Sequence, residues 1–241
     1  ILSKLKNKNN NKYPSLSVQG TQIEIEQEVD LLGLTIDSQL TFGKYISKIC
    51  KSAAGQLNAL KRLSSYIGYR ERLILVQSFV LSNFNYCPIV WHFCSSGHLN
   101  KIERIQERAL RFVHDDYISN YEELLQKTGN SSLYAKRLQV ICTEIYKTLH
   151  NLNPQYMNEL ISKQNHHYST RQSDDLFIPR INQTTYGLHS YRYLAPTLWN
   201  SLPELIKSAE NLNIFKCLIK TWSGPSCYCN FCQFSKNQCQ K

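Results

Sequence analysis

The sequence predicts a mainly α protein with a small N-terminal antiparallel β patch, an α+β chain that continues as a helical bundle and ends in an irregular, partly helical region. Apolar residues recur at three- and four-residue spacing along most of the chain after Thr41, as in amphipathic helices. Before it, the Ile-Glu repeat of residues 23–26 alternates apolar and acidic side chains, as in a strand with one wet face. The 241 residues include only 9 Gly and 7 Pro, which leaves little room for long linkers.

The β patch is predicted as three short strands. Residues 15–19 and 22–27 form a hairpin, because Gly20-Thr21 has the Gly-X order of a two-residue type II′ turn. A third strand is expected over residues 31–37, where Gly33 allows another backbone to approach closely. Its apolar face consists of Leu32, Leu34 and Ile36. Three strands of this length have too little core to be stable alone.

Three helices are predicted next, and together they form one bundle. The first begins after Thr41 and turns a regular apolar stripe toward the core, made of Ile46, Ile49, Ala53, Leu57 and Leu60. The second, over residues 70–94, is largely apolar and is expected to kink or end near Pro88. The third covers residues 100–113, and its inward side chains are Ile102, Ile105, Ala109 and Phe112.

The C-terminal part is predicted as shorter helices around one long helix over residues 132–150. Residues 163–190 are polar and irregular, with a brief strand at 176–179, and the last helix covers residues 213–222. Three helix starts are predicted from capping patterns: Ser119 with Glu122, Asn153 before Pro154, and Ser201 with Glu204.

Charge is concentrated in one block of the chain. Residues 42–114 carry eleven Lys and Arg against three acids, which is most of the formal net charge of +10, whereas residues 13–41 carry five acids and no base. Basic helix faces with nearby aromatic side chains suit contact with nucleic-acid phosphates, and a solvated helical surface is the alternative. The predicted nucleic-acid-binding residues are Lys44, Lys48, Lys51, Arg62, Arg104, Arg108 and Arg111, and the aromatic residues beside them are Tyr45, Tyr66, Tyr69 and Phe112.

No catalytic residues are assigned from the sequence. His114-Asp115-Asp116-Tyr117 superficially resembles the aromatic-x-Asp-Asp turn of polymerases, but it follows an amphipathic helix and has no strand-turn-strand pattern. A helix end or polar loop is the favoured interpretation, and Asp174-Asp175 lies in another polar loop. Nucleophile elbows, glycine-rich phosphate loops and histidines at metal-ligand spacing do not occur.

The nine cysteines fall into two groups. Five lie within apolar helical patterns and are expected to act as small hydrophobes: Cys50, Cys87, Cys94, Cys142 and Cys217. The other four, which could hold zinc as a set of thiolates, are Cys227, Cys229, Cys232 and Cys239. A reducible Cys-rich tail is the alternative, and no other cofactor is expected.

We expect neither export nor a membrane span. The N-terminus carries Lys4, Lys6 and Lys8 in place of an apolar signal region. The longest uncharged run, residues 73–100, contains polar residues and Pro88, which predicts a buried helix. An intracellular location, cytoplasmic or nuclear, follows as an expectation, and the lack of an initiator Met is consistent with a piece of a longer protein.

An ordered series of motifs extends through most of the chain. It consists of LLGLTID at 31–37 followed by LTF at 40–42, SNFNYCPIVW at 82–91, LNKIERIQERALR at 99–111, TYGLHSYR at 185–192 and LWNSLP at 198–203. In this order they resemble the C-terminal part of LINE-type (non-LTR) retrotransposon reverse transcriptases, in particular jockey-like members. The resemblance covers about residues 15 to 224.

The resemblance implies a division of the chain. After a basic flexible segment at 1–12, residues 13–41 would be the last palm strands and residues 42–114 a thumb-like bundle that holds the template–primer duplex. Residues 115–224 would be the C-terminal region associated with element RNA or target DNA, followed by the Cys-rich tail at 225–241. In the family, the catalytic aspartates that bind magnesium belong to palm motifs that precede the region of similarity. Asp115-Asp116 lies after the thumb, so it does not correspond to them.

Three functional hypotheses follow. The first is a truncated C-terminal fragment of a reverse transcriptase that binds template–primer or element RNA but does not catalyse DNA synthesis alone, so the chain by itself is not expected to be an enzyme. The second is a helical protein-interaction module or a non-functional remnant, whose exposed apolar surface favours self-association or contact with the missing palm. The third, an active polymerase, needs that palm.

Overall fold

The structure, a computed structural model, describes residues 16–23, 26–163, 175–181 and 187–225. It is mainly helical with a small antiparallel β patch near the N-terminus, as the sequence predicts, but the patch consists of two separate two-stranded sheets instead of three strands. The strands are β1 (Leu16–Val18), β2 (Thr21–Ile23), β3 (Glu28–Leu31) and β4 (Leu34–Asp37). The helices are α1 (Gly43–Arg62), α2 (Tyr69–Leu75), α3 (Pro88–Trp91), α4 (Ser96–His114), α5 (Tyr121–Thr128), α6 (Leu133–Leu149), α7 (Gln155–Asn158), α8 (Tyr191–Asn200), α9 (Glu204–Lys207) and α10 (Leu212–Leu218).

The first hairpin turns one residue earlier than predicted. Val18 pairs with Thr21, so the two turn residues are Gln19 and Gly20. Both have positive φ, 52° and 82°, as a type I′ turn requires. The predicted type II′ turn at Gly20-Thr21 is therefore wrong, because Gly20 occupies the second turn position.

The predicted third strand is a second hairpin. Leu31 pairs with Leu34 around a turn of Leu32 and Gly33, whose φ values are 49° and 85°. A Cβ on Gly33 would meet nothing within 4 Å, so this glycine serves the turn and the predicted close approach is wrong. Leu32 is 84% exposed and leaves the predicted apolar face, which retains Leu34 and Ile36 packed on the core.

A carboxylate organises the chain just before α1. Asp37 accepts hydrogen bonds from the backbone N–H groups of Gln39, Thr41 and Phe42 at 2.7–3.0 Å. Burial raises the pKa of this carboxyl and the hydrogen bonds lower it, and the net result lies below the ordinary value. The apolar stripe predicted for α1 is buried throughout, at Ile46, Ile49, Ala53, Leu57 and Leu60.

The predicted second helix is broken into short pieces. After α2 the backbone forms a π-helical turn at Val76–Val80 and a 3-10 turn at Leu81–Phe84, and α3 then starts at Pro88. Asn83 donates its side-chain amide to backbone carbonyls of the π-helical turn, which competes with the regular ladder. Cys87, the residue before α3, has a left-handed backbone with a φ of 45°, which separates α3 from the preceding turn. The interruption near Pro88 is confirmed, but regular α-helix already ends at Leu75, earlier than predicted.

Helices α1 and α4 lie side by side in the same direction. At their N-terminal ends, a Cβ on Gly43 would lie 3.2 Å from Cε1 of His98. At their C-terminal ends, the Arg72 guanidinium donates to the backbone carbonyls of Ser64 at 2.7 Å and Phe112 at 3.3 Å. The two helices, α2 and the π-helical turn enclose the first core, which confirms the predicted bundle.

The helix α5 begins one residue later than predicted. The Asn120 side chain accepts from the Glu123 N–H at 2.9 Å, and the Glu123 carboxylate accepts from the Asn120 N–H at 3.1 Å. The capping box predicted for Ser119 and Glu122 is wrong, because the Ser119 hydroxyl donates to Asp116 at 2.6 Å.

A second core surrounds α6, which begins after Ser132 as predicted. Two predicted N-caps are wrong in this half. Asn153 donates to the Glu144 carbonyl at 3.1 Å, and the Ser201 hydroxyl donates to the Leu198 carbonyl at 2.7 Å. Both side chains thus bond back to the preceding helix, and Pro154 and Pro203 occupy the N-cap positions of α7 and α9. The buried aliphatic and aromatic residues of this core include Leu138, Ile141, Ile145, Tyr146, Leu198 and Phe215.

The predicted strand at 176–179 is limited to an isolated bridge between Lys163 and Leu176. The final helix over 213–222 consists of α10, capped by Asn211, and a 3-10 turn at Ile219–Thr221. Segment 1–12, Asp174 and the four tail cysteines from Cys227 to Cys239 lie outside the described residues.

Candidate nucleic-acid interface

The outer side of α1 carries positive charge only. The helix has five Lys and Arg and no acid along its 20 residues. Of the predicted binding residues, Lys48, Lys51 and Arg62 are exposed and make no hydrogen bond or ion pair with another described residue. Lysine and arginine side chains in this state can approach phosphate groups without first breaking a contact within the protein.

The outer side of α4 repeats this arrangement. Arg104 and Arg108 are exposed and likewise have no partner among the described residues. Lys101, about one turn before Arg104, is also exposed. The acids of this helix face elsewhere. Glu103 lies 2.7 Å from the Tyr121 hydroxyl, and Glu107 accepts from Arg111 on the next turn.

The outer sides of α1 and α4 adjoin, because the two helices run side by side in the same direction and both turn their apolar sides toward the first core. We define the basic face as the exposed side chains Lys44, Lys48, Lys51, Arg62, Lys101, Arg104 and Arg108. Lys44 and Arg62 stand eighteen residues apart, which is about 27 Å along a helix. At 3.4 Å per base step this length matches about eight steps of a duplex.

Lys44 is the one member of the basic face with a partner among the described residues. Its ammonium lies 2.5 Å from Oε1 of Glu28 on β3, although 72% of its side chain is exposed. A polar cleft of about 790 Å³ opens beside this pair, between the second hairpin and the start of α1. Glu28 of the second hairpin therefore already pairs with Lys44, the first basic residue of the basic face.

Arg111 does not belong to the basic face. Its guanidinium lies 2.7 Å from Oε1 of Glu107, and the side chain is only 21% exposed. A partly buried i,i+4 ion pair holds this arginine on its own helix. Of the predicted binding residues on α4, Arg111 is thus the one engaged within the protein, whereas Arg104 and Arg108 are exposed.

The aromatic residues predicted beside the bases divide into two pairs. Tyr45 and Phe112 are 3% exposed and belong to the first core, so they are not available for stacking. Tyr66 and Tyr69 are exposed at 85% and 48%. Tyr117, a further aromatic residue with no recognisable motif around it, is 64% exposed near the same end of the bundle.

The Asp115-Asp116 pair is a helix end, as the sequence favours. Asp115 has a φ of 52° and follows the last residue of α4. The Lys127 ammonium and the Ser119 hydroxyl hold the pKa of Asp116 well below its ordinary range. The Asp116 carboxylate thus serves to close the turn between α4 and α5.

The cysteines within the described helical regions behave mostly as core residues. Burial raises the pKa of Cys50 to about 11 and that of Cys94 to about 12. Cys217, in contrast, is exposed, so the prediction of a buried hydrophobe is wrong there. Across residues 16–23, 26–163, 175–181 and 187–225, no three His, Cys, Asp or Glu side chains are grouped so that they could hold a metal ion.

Among the helices that the structure describes, none combines the length and apolar character needed to cross a bilayer. No protein-family model, curated protein or solved structure matches this chain.

Proposed function

We propose that this chain is the C-terminal part of a LINE-type reverse transcriptase and binds a template–primer duplex or element RNA through the basic face. One observation carries the proposal: the adjoining outer sides of two parallel helices carry exposed lysine and arginine side chains without described partners, while the acids of α4 are bonded to Tyr121 and Arg111. The family assignment rests on the ordered series of motifs at 31–37, 82–91, 99–111, 185–192 and 198–203. As a separate polypeptide these 241 residues are proposed to bind without extending a primer.

The expected mode of binding is contact with the phosphate backbone. Lysine and arginine side chains release condensed counterions when they meet phosphates, so affinity falls steeply with salt. Such contacts set affinity and register but read no base sequence. The length of the basic face along α1, about 27 Å, suits one side of a duplex better than a narrow strand-binding channel.

The second candidate is a protein-interaction module, favoured by exposed apolar side chains on and after the second hairpin. Val29, Leu31, Leu32 and Leu40 are exposed at 42%, 57%, 84% and 55%. A cluster of this kind is typical of a surface that another protein covers. Oligomers that persist at high salt, without nucleic-acid binding, would favour this candidate.

The proposal is tested by binding a labelled RNA–DNA duplex at salt concentrations between about 50 and about 200 mM. We expect binding that weakens with salt, and no primer extension when magnesium and nucleotides are added. The variant Lys48→Ala/Lys51→Ala/Arg108→Ala should reduce the slope of log affinity against log salt by about 2 to 3, because each phosphate contact contributes about 0.9.

The matched control is Arg192→Ala/Lys216→Ala/Lys220→Ala, which removes the same charge from exposed positions of the other half. It should leave the slope close to that of the unchanged protein. Equal losses in both variants would show that net charge, and not the basic face, determines binding. Absence of binding at low salt would contradict the proposal altogether.

A further inference from the structure

A small cavity lies where α1 and α4 end, near Arg62, the last basic residue of the basic face on α1. Its volume is about 290 Å³, roughly ten times the ~30 Å³ share of a single water molecule. Its lining includes Lys61, Ser64, Asp115 and Tyr117, with Arg72 and Phe112 at its inner side. Arg62, the last residue of the basic face on α1, is the sequence neighbour of Lys61, so the cavity lies at the C-terminal end of that face.

The inner side of the cavity is held in place by Arg72. Its guanidinium donates to the backbone carbonyls of Ser64 at 2.7 Å, Ile67 at 3.1 Å and Phe112 at 3.3 Å. Its central carbon also lies 5.2 Å from the centre of the Phe112 ring. Because Arg72 is committed to these contacts, it shapes the loop after α1 and does not serve as an anion ligand.

The cavity has an exposed aromatic wall. Tyr117 lines it and is 64% exposed, and Tyr66 is 85% exposed and follows Ser65, another lining residue. Aromatic side chains exposed beside lysine and arginine provide stacking surfaces for nucleobases. Elsewhere on the basic face the exposed side chains are cationic or small, so stacking is available only at this end of the face among the described residues.

Asp115 gives the cavity an acceptor. It adopts a φ of 52° at the C-terminal end of α4, where a carboxylate is electrostatically unfavourable to the helix. Its backbone N–H donates to the Arg111 carbonyl, but within the described part of the chain its carboxylate makes no hydrogen bond or ion pair, in contrast to that of Asp116. A carboxylate accepts from the amino group of cytosine, whereas uracil and thymine present a carbonyl oxygen at the same position.

We propose that this cavity binds one unpaired nucleobase at the end of the duplex, stacked on Tyr117, and prefers cytosine over uracil through Asp115. The inference rests on the proposed function, since the basic face must first hold the duplex. Lys61 contacts the phosphate of the unpaired nucleotide, and the Asp115 carboxylate accepts a hydrogen bond from the cytosine amino group.

The test compares three RNA–DNA duplexes of the same sequence: one blunt, one with a single unpaired cytidine and one with a single unpaired uridine, each overhang placed on either end. We expect the cytidine duplex to bind about tenfold more tightly than the blunt one, with uridine in between. Tyr117→Ala should remove the gain from either overhang and leave blunt-duplex affinity unchanged. Asp115→Asn should abolish the preference for cytidine, because an amide can also donate to the uracil oxygen.

The control is Tyr156→Ala, which removes a tyrosine of nearly equal exposure, 65%, from α7. It should change none of the three affinities. If the blunt duplex binds and neither overhang improves binding, or if Tyr117→Ala weakens all three duplexes equally, the cavity is not a base site, although the proposed function stands. If no duplex binds at all, both the base site and the proposed function are overturned.

Discussion

The two halves of this protein contain the same number of basic residues but differ in the number of acids that accompany them. Residues 42–114 and residues 115–222 each contain eleven Lys and Arg, but the first range has three acids and the second has ten. In the first half Lys48, Lys51 and Arg108 project into solvent without partners among the described residues. In the second half Lys147 and Lys207 lie 2.6 Å from Glu144 and 3.1 Å from Glu204.

The most buried basic residue of the described part of the chain, Arg137, lies where the two halves meet. Arg137 on α6 is 2% exposed, with a guanidinium nitrogen 3.8 Å from Glu103 and its central carbon 5.2 Å from the Trp91 ring. Trp91 belongs to the first core, whereas the neighbours of Arg137 along α6 belong to the second. Among the described residues, the second half has four ion-paired basic residues, Lys127, Arg137, Lys147 and Lys207, and the first half has two, Lys44 and Arg111. The larger supply of acids thus goes with more ion pairs, and each half also keeps exposed basic residues without partners.

The largest expected effect comes from the buried base. Arg137→Ala should lower the free energy of unfolding by about 3–5 kcal/mol, because it leaves Glu103 without its charge partner in a largely buried site. Arg108→Ala should change it by less than about 0.5 kcal/mol, since that side chain is exposed. Urea denaturation measures both. Similar losses in the two variants would remove the distinction between the halves.

A second effect depends on pH and involves His92, which lies in the same contact region. Burial, reinforced by Arg137 and His189, lowers the pKa of His92 to about 3. The unfolded chain binds this proton near pH 6.5, so the folded state loses stability as the pH falls from about 6.5 toward 3, by up to about 1.4 kcal/mol per pH unit. Above pH 6.5 this contribution is fully present.

The measurement is urea denaturation of the unchanged protein and of His92→Phe at several pH values. The variant should lose this part of the pH dependence, while His150→Phe, at an exposed position, should retain it. Parallel pH profiles for the unchanged protein and His92→Phe would show that His92 does not contribute.

The smallest expected effect concerns the acidic hairpin. Glu28→Gln releases Lys44 from its ion pair and should raise duplex affinity about two- to fivefold, the range expected for an exposed pair. Glu26→Gln removes an exposed acid near the same hairpin and should have a smaller effect. Titration of the duplex at low salt measures the change. The gain should disappear in Glu28→Gln/Lys44→Ala, and a gain that persists would assign it to net charge alone.

The helices of both cores could be predicted because helical burial leaves a repeating pattern in the sequence. Ile46, Ala53 and Leu57 recur on one side of a 3.6-residue repeat, and all three are buried. The bases on the other side of α1 follow from the same repeat. Turns and caps were predicted less well, since Ser119, Asn153 and Ser201 each had a competing partner nearby and bonded to it.

The family and function remain predictions that rest on the ordered motifs and on the basic face. The site itself was only partly predictable. No local pattern distinguishes Arg111, held by Glu107, from Arg108, which faces solvent one turn earlier. Tyr117 and Lys61 carried no recognisable motif, and their position beside one cavity depends on how α1 and α4 end together.

The helical class, the apolar stripes and the concentration of positive charge follow from residue types at short spacing, so they can be read from the chain without its fold. The tertiary structure determines which lysine and arginine side chains are free to contact a partner. Glu28 reaches Lys44 across sixteen residues, and Arg72 joins the ends of α1 and α4 through carbonyls as far apart as Ser64 and Phe112. Such contacts form only when separate elements pack together, since packing and not sequence distance brings opposite charges and hydrogen-bonding groups within reach.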